Sequence, residues 1–209
     1  MTRIYATAAI AATAAVLGVT GYMVLRGGGD DPFAPCRSSA VAGGIGSIGG
    51  PFTLVAPSGD TVTDIDVVTG PTLLYFGYSF CPDVCPLDNA RNAQAVDILE
   101  EMGIEATPVF ISVDPDRDSP EVMGDYAANM HPRMIGLTGS PEQVKAAAQA
   151  YRVYYAKVGD DPEYYNVDHS AYTYLALPGH GVVEFYVRQA SPDELAASAA
   201  CFVQAARSN

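Results

Sequence analysis

The amino-acid sequence predicts an α/β domain: a central mixed sheet flanked by helices, with an extra N-terminal β-hairpin and one transmembrane helix ahead of it. Three observations carry this. Thr72 to Gly77 and Thr107 to Val113 are short, largely apolar runs, the pattern of strands buried on both faces of a sheet. Proline-started segments with helical spacing follow them. Tyr172 to Leu177 and Val182 to Val187 flank the turn Pro178-Gly179-His180-Gly181 and read as a hairpin.

Ile4 to Leu25 carry no charge. As a helix this run would span roughly 33 Å at about 1.5 Å per residue, enough to cross a bilayer. Residues 1–26 are therefore expected to be an anchor, with a cleaved signal peptide as the alternative. Arg3 ahead of the span and Asp30-Asp31 behind it favour a cytoplasmic N-terminus with the remainder outside. Residues 27–50 include eight glycines and read as a linker. Residues 51–209 suffice for one domain. The net charge of −13 excludes nucleic acid and anionic lipid as natural partners of the surface. No repeat and no phosphate-binding glycine loop is present.

Within the domain, Phe52 to Val55 and Thr61 to Thr63 form a small hairpin around Pro57-Ser58-Gly59-Asp60. The Thr72 strand leads to a helix from Pro86, with Ala95, Ile98, Leu99 and Met102 on one stripe. After the Thr107 strand, Ser119-Pro120 starts a helix with Met123, Tyr126 and Met130 inward. Ser140-Pro141-Glu142-Gln143 and Ser191-Pro192-Asp193-Glu194 are capping boxes that open two more helices. Strand–helix–strand followed by a hairpin and a last helix is the layout of a thioredoxin-like fold.

Cys81-Pro82-Asp83-Val84-Cys85-Pro86 sits where the first main strand feeds its helix. The helix N-terminus favours thiolate over thiol. Three residues between the cysteines give a wider bite than a C-x-x-C motif. A structural disulfide, a redox dithiol and a metal site are all open to this pair. His169, in Val167-Asp168-His169-Ser170, precedes the Tyr172 strand, where dithiol oxidoreductases of this layout carry a cis-proline. An imidazole there adds a nitrogen to two sulfurs, a set suited to copper and short of the four ligands of structural zinc. A peroxiredoxin needs a threonine three residues before its reactive cysteine; Tyr78 and Pro82 stand there instead.

Phe76-Gly77-Tyr78-Ser79-Phe80-Cys81-Pro82-Asp83-Val84-Cys85-Pro86, Ser112-Val113-Asp114-Pro115-Asp116-Arg117-Asp118-Ser119-Pro120 and Val167-Asp168-His169-Ser170 together resemble the Sco/SenC family. These are membrane-tethered copper chaperones of cytochrome c oxidase assembly. The resemblance implies copper, Cu(I) or Cu(II), held by Cys81, Cys85 and His169, and its delivery to the CuA centre of oxidase subunit II. It further implies a copper donor protein, a thioredoxin-like reductant and, with the anchor, a single-pass protein of the bacterial inner membrane with its domain in the periplasm. Ser79-Phe80 replaces the Thr-His of many members, which removes an accessory imidazole but no ligand. A membrane-anchored thiol–disulfide oxidoreductase or a redox or copper sensor, acting through Cys81 and Cys85, is the alternative.

Four further features invite a reading. Asp114, Asp116 and Asp118 alternate as in a calcium loop, yet Ser119 stands at the glycine position; an acidic rim beside the metal, or a solvated helix entry, is expected. Asp168 or Asp116 could add a fourth ligand. Met130-His131-Pro132-Arg133-Met134 offers soft donors but reads as a loop with methionine packed inward. On the last helix Cys201 falls off the face formed by Leu195, Ala199, Phe202, Val203 and Ala206, so a structural disulfide between Cys36 and Cys201 is expected.

Overall fold

The computed structural model describes residues 13, 17–22, 31–38, 44–161 and 164–208. It divides into a short unit, Met1–Pro35, and a folded unit, Cys36–Asn209. In the first, residues 17–22 are helical. Among the described residues no helix is long and apolar enough to cross a membrane. Most of the expected anchor, and residues 27–30 and 39–43 of the expected linker, lie outside the described residues.

The folded unit is thioredoxin-like. Its main sheet has five strands: β3 (Thr72–Gly77), β4 (Thr107–Ser112), β5 (Ile135–Leu137), β8 (Thr173–Leu177) and β9 (Gly181–Tyr186), in the order β5-β4-β3-β8-β9. β3 runs parallel to β4, and β4 to β5. β8 is antiparallel to both β3 and β9. β1 (Thr53–Val55) and β2 (Thr61–Thr63) form the N-terminal hairpin. The helices are α1 (Asp64–Val67), α2 (Val84–Glu101), α3 (Pro120–Met130), α4 (Pro141–Ala150) and α5 (Pro192–Arg207). The Ser140 and Ser191 capping boxes open α4 and α5, and Ser119 accepts from Val122 N–H to cap α3.

Several elements depart from the sequence expectation. β5 is a three-residue edge strand, and α1 a single turn, both too short for a periodic signature. A third hairpin, β6 (Tyr155–Val158) with β7 (Asn166–His169), forms a sheet of its own and is largely polar on its outer face. Helix α2 begins at Val84, not Pro86, and its buried stripe runs through Cys85, Asn89, Asn92, Val96 and Leu99, while Met102 is exposed. The reason is polar: α2 lies between the sheet and α5, so it buries Asp88, Arg91 and Asn92, and these are paired. Arg91 donates to Thr173 Oγ1 at 2.7 Å and to the Val187 and Arg188 carbonyls at 3.2 and 3.0 Å. Tyr75 O–H and Arg188 Nε both donate to Asp88 Oδ2.

The start of the folded unit is tied to β9 and α5. Cys36 and Cys201 form a disulfide with Cα atoms 5.7 Å apart. Arg37 Nη1 donates to the Val183 carbonyl at 2.8 Å, and Ser38 N–H to Glu184 Oε2 at 3.1 Å. Gly49, at φ +88°, lies so close to β9 that a Cβ would stand 2.5 Å from Val182 Cγ2.

Candidate metal centre

The parallel strands β3 and β4 leave the sheet at the end where antiparallel β8 enters it. Three connections therefore meet there: the cysteine loop, the Asp114–Asp118 loop and the end of β7. Crevices at the carboxyl ends of such strands are the usual place for a site.

Gly77 closes β3, and only glycine leaves room for the sulfur behind it. A Cβ at Gly77 would lie 2.7 Å from Cys85 Sγ and 2.9 Å from Phe110. Gly77→Ala is thus expected to displace Cys85 from the site and weaken metal binding; metal titration of the folded variant checks this, and wild-type affinity would refute it. Asp83 holds the N-terminal boundary position of α2 without a side-chain capping bond, so Cys85 sits inside the first turn, fully buried, and Cys81 at the loop's edge is 9% exposed. The Cys85 amide donates to Cys81 Sγ at 3.5 Å.

His169 Nε2 lies 3.2 Å from Cys85 Sγ, and its Nδ1 is 3.1 Å from the Ser170 carbonyl. The carbonyl can only accept, so Nδ1 carries the proton and Nε2 turns its lone pair toward the sulfurs. The rings of Tyr75 and Tyr78 stand nearly perpendicular to the imidazole, with centroids 6.1 and 6.0 Å away. One donor atom from each of Cys81, Cys85 and His169 lies within 4.8 Å of the others. The group opens on a cleft of about 270 Å³ lined by Tyr78, Pro82, Val84 and Val167.

The two thiols differ. Burial acts to raise Cys81, but the amides of Asp83, Cys85 and Val84 and the Cys85 thiol outweigh it and hold Cys81 below its ordinary value. Burial pushes Cys85 well up, and the neighbouring Cys81 charge adds to this. Burial also lowers His169, which keeps the imidazole neutral and ready to bind at pH 7.

A family model for SCO1/SenC matches residues 42–204. The chain belongs to the SCO1/SenC family. It is 51% identical to Protein SenC of Rhodobacter capsulatus over 202 residues, which covers 95% of this chain and 91% of that one. It is 39% identical to the mitochondrial Protein SCO1 homolog of Homo sapiens over 156 residues, 73% of this chain and 52% of the human protein. Among solved structures, Arabidopsis thaliana ScoI with copper bound matches at TM-score 0.71 and 42% identity, covering 78% of this chain and 99% of that one. Bradyrhizobium japonicum ScoI with copper bound matches at TM-score 0.66 and 36% identity, covering 73% and 98%.

In this SCO1/SenC chain the other expected donors are placed elsewhere. Asp114 and Asp118 are fully buried, so the acidic rim does not exist as such. Asp118 accepts from Ser79 N–H at 3.1 Å and Ser112 Oγ at 2.6 Å, and also from Ser79 Oγ. Asp114 accepts from Arg117 Nε and Tyr165 O–H, and Asp116 is paired with Lys157. Among the described residues neither Asp116 nor Asp168 joins the sulfur–imidazole cluster. His131 is buried against Asp97, with Nδ1 accepting from Arg133 N–H, and is not turned toward a methionine pair. His180 is exposed at its hairpin turn. Residues that shape the SCO1/SenC site and lie in none of the three motifs are Tyr75 and Tyr165.

Proposed function

We propose that the protein is a copper metallochaperone that binds one copper ion through Cys81, Cys85 and His169 and delivers it to the CuA centre of cytochrome c oxidase subunit II. The observation that carries this reading is the convergence of two sulfurs and one imidazole nitrogen within 4.8 Å. Two soft donors suit Cu(I), and the borderline nitrogen extends the set toward Cu(II). The copper-bound ScoI relatives support it.

Copper here is the cargo. A three-donor site at a cleft mouth can accept an incoming thiolate or imidazole before releasing one of its own ligands. Cys81 and His169 line the cleft and are the ligands a partner reaches first; Cys85, fully buried, holds from below. A disulfide cannot offer two thiolates, so a thioredoxin-like reductant must keep the pair open, and a copper donor must load it. The uncharged run in residues 1–26 supports a single inner-membrane anchor. The Cys36–Cys201 disulfide supports a periplasmic, oxidising location for the domain.

Titration of the reduced protein with Cu(I), followed with a competing chromophoric chelator, is expected to give one ion per chain. Binding displaces the proton from Cys85, whose thiol is raised by burial, so affinity is expected to climb with pH across neutrality. Equal copper uptake after oxidation of Cys81 to Cys85 would refute the site.

One observation favours a second reading. A thiol at the edge held below its ordinary value, beside a buried thiol pushed up, is the asymmetry of an attacking and a resolving cysteine. That is the thiol–disulfide oxidoreductase, and loss of His169 separates it from the chaperone.

A further inference from the structure

The His169 ligand stands on a hairpin that the main sheet does not hold. β6 and β7 pair only with each other. A lone two-stranded hairpin is marginal in water. Val167 is its one fully buried residue among those described. The distance from imidazole to sulfurs therefore depends on whatever clamps this hairpin to the cysteine loop.

Arg117 occupies that position. Its guanidinium carbon lies 3.7 Å from the centroid of the Tyr165 ring, at the foot of β7, and Nη1 donates to the Tyr165 carbonyl at 3.0 Å. The same guanidinium stands 5.0 Å from the Phe80 ring and 5.6 Å from the Tyr78 ring, both on the cysteine segment. Buried Asp114 orients it from behind, accepting from Arg117 Nε at 2.5 Å and from Tyr165 O–H at 2.7 Å. Asp118, four residues along the same loop, grips Ser79. Other ties exist: the Val167 backbone is hydrogen-bonded to the Tyr78 side chain and its side chain joins the core, while Lys157 to Asp116 is an exposed ion pair and holds little. Arg117 Nη2 is buried with no hydrogen-bond partner among the described residues, so opening the stack would let water reach it.

We infer that Arg117 is a positioning residue: it latches the His169 hairpin onto the cysteine loop, and the strength of this latch sets how readily the bound metal is released. The inference rests on the three-ligand copper site proposed above.

The test uses the full-length reduced protein carrying one Cu(I), with release to a chromophoric chelator as the readout. Arg117→Gln is expected to lower affinity and speed release about 10–100-fold, the range for residues that orient a ligand, with the Cys81/Cys85 reduction potential unchanged. In a His169→Ala background the same substitution should change nothing further; an equal, additive effect there would overturn the latch. Because Arg117→Gln strips Asp114 of its cation, Tyr165→Leu, which keeps that pair, should act in the same direction. Hydrogen exchange of residues 155–158 and 164–169 supplies a readout independent of copper. Faster exchange in Arg117→Gln is expected, and unchanged exchange refutes the latch. Failure of the parent protein to bind copper would instead refute the site itself.

Discussion

Replacing His169 with alanine is expected to lower copper affinity by more than about 100-fold, a loss of at least about 2.7 kcal/mol. The imidazole is the one nitrogen among three donors, and its ring is fixed by Nδ1 on the Ser170 carbonyl and by the flanking Tyr75 and Tyr78 rings. Among the described residues no carboxylate oxygen joins the three-donor cluster, and Asp168 only lines the cleft beside it. The dithiol keeps its own determinants, the amides at the head of α2 and the burial of Cys85, so its reduction potential is expected to move little. Copper competition assays and thiol–disulfide equilibration on one preparation make the two measurements. His169→Ala with unchanged copper affinity would hand the function to the oxidoreductase reading. The pH dependence adds a check. Burial lowers the His169 pKa from its ordinary value, so proton competition at the imidazole sets in at lower pH than for a free histidine, while competition at the raised Cys85 thiol extends through neutrality.

The second large effect is on stability. The double substitution Cys36→Ser with Cys201→Ser opens a link across 165 residues of sequence. Closing a loop of that length restricts the unfolded chain, and its loss is expected to cost about 2–5 kcal/mol. For a domain of this size that is a fall in melting temperature of roughly 5–15 °C. Arg37 and Ser38 would lose the covalent support for their bonds to β9, so the first residues of the folded unit should loosen before the sheet. Both cysteines are changed together because a lone survivor could pair with Cys81 or Cys85. Thermal unfolding of the double variant beside the parent decides the matter; identical melting would show that the bridge is dispensable. Copper stoichiometry should stay at one per chain, since Cys36 and Cys201 take no part in the cleft.

Much of the fold is legible because its signals are local. Thr72 to Gly77 is buried along its whole length, as an unbroken apolar run requires. Ser119, Ser140 and Ser191 each cap the helix that the following proline opens. The β6–β7 hairpin was not legible, because half-exposed strands with charges on them lack the alternation that a solvated sheet face normally displays. Helix α2 was legible in its second half, where Ala95 and Leu99 are buried as their spacing requires; its first turns also bury polar residues, and a hydropathy pattern cannot register Asp88, Arg91 and Asn92 as interior.

The candidate donors belong to the sequence: sulfur and imidazole side chains carry their chemistry wherever the chain puts them, and Cys81, Cys85 and His169 could be singled out from residue type, position and the family resemblance. What surrounds them does not. Asp114 and Asp118 look like surface carboxylates in the linear text and are interior anchors in the fold, one held by Arg117 and Tyr165, the other by Ser79 and Ser112. A carboxylate goes inside only when donors from other segments arrive to satisfy it, and those donors come from up to 51 residues away. Only the tertiary path of the chain decides that meeting.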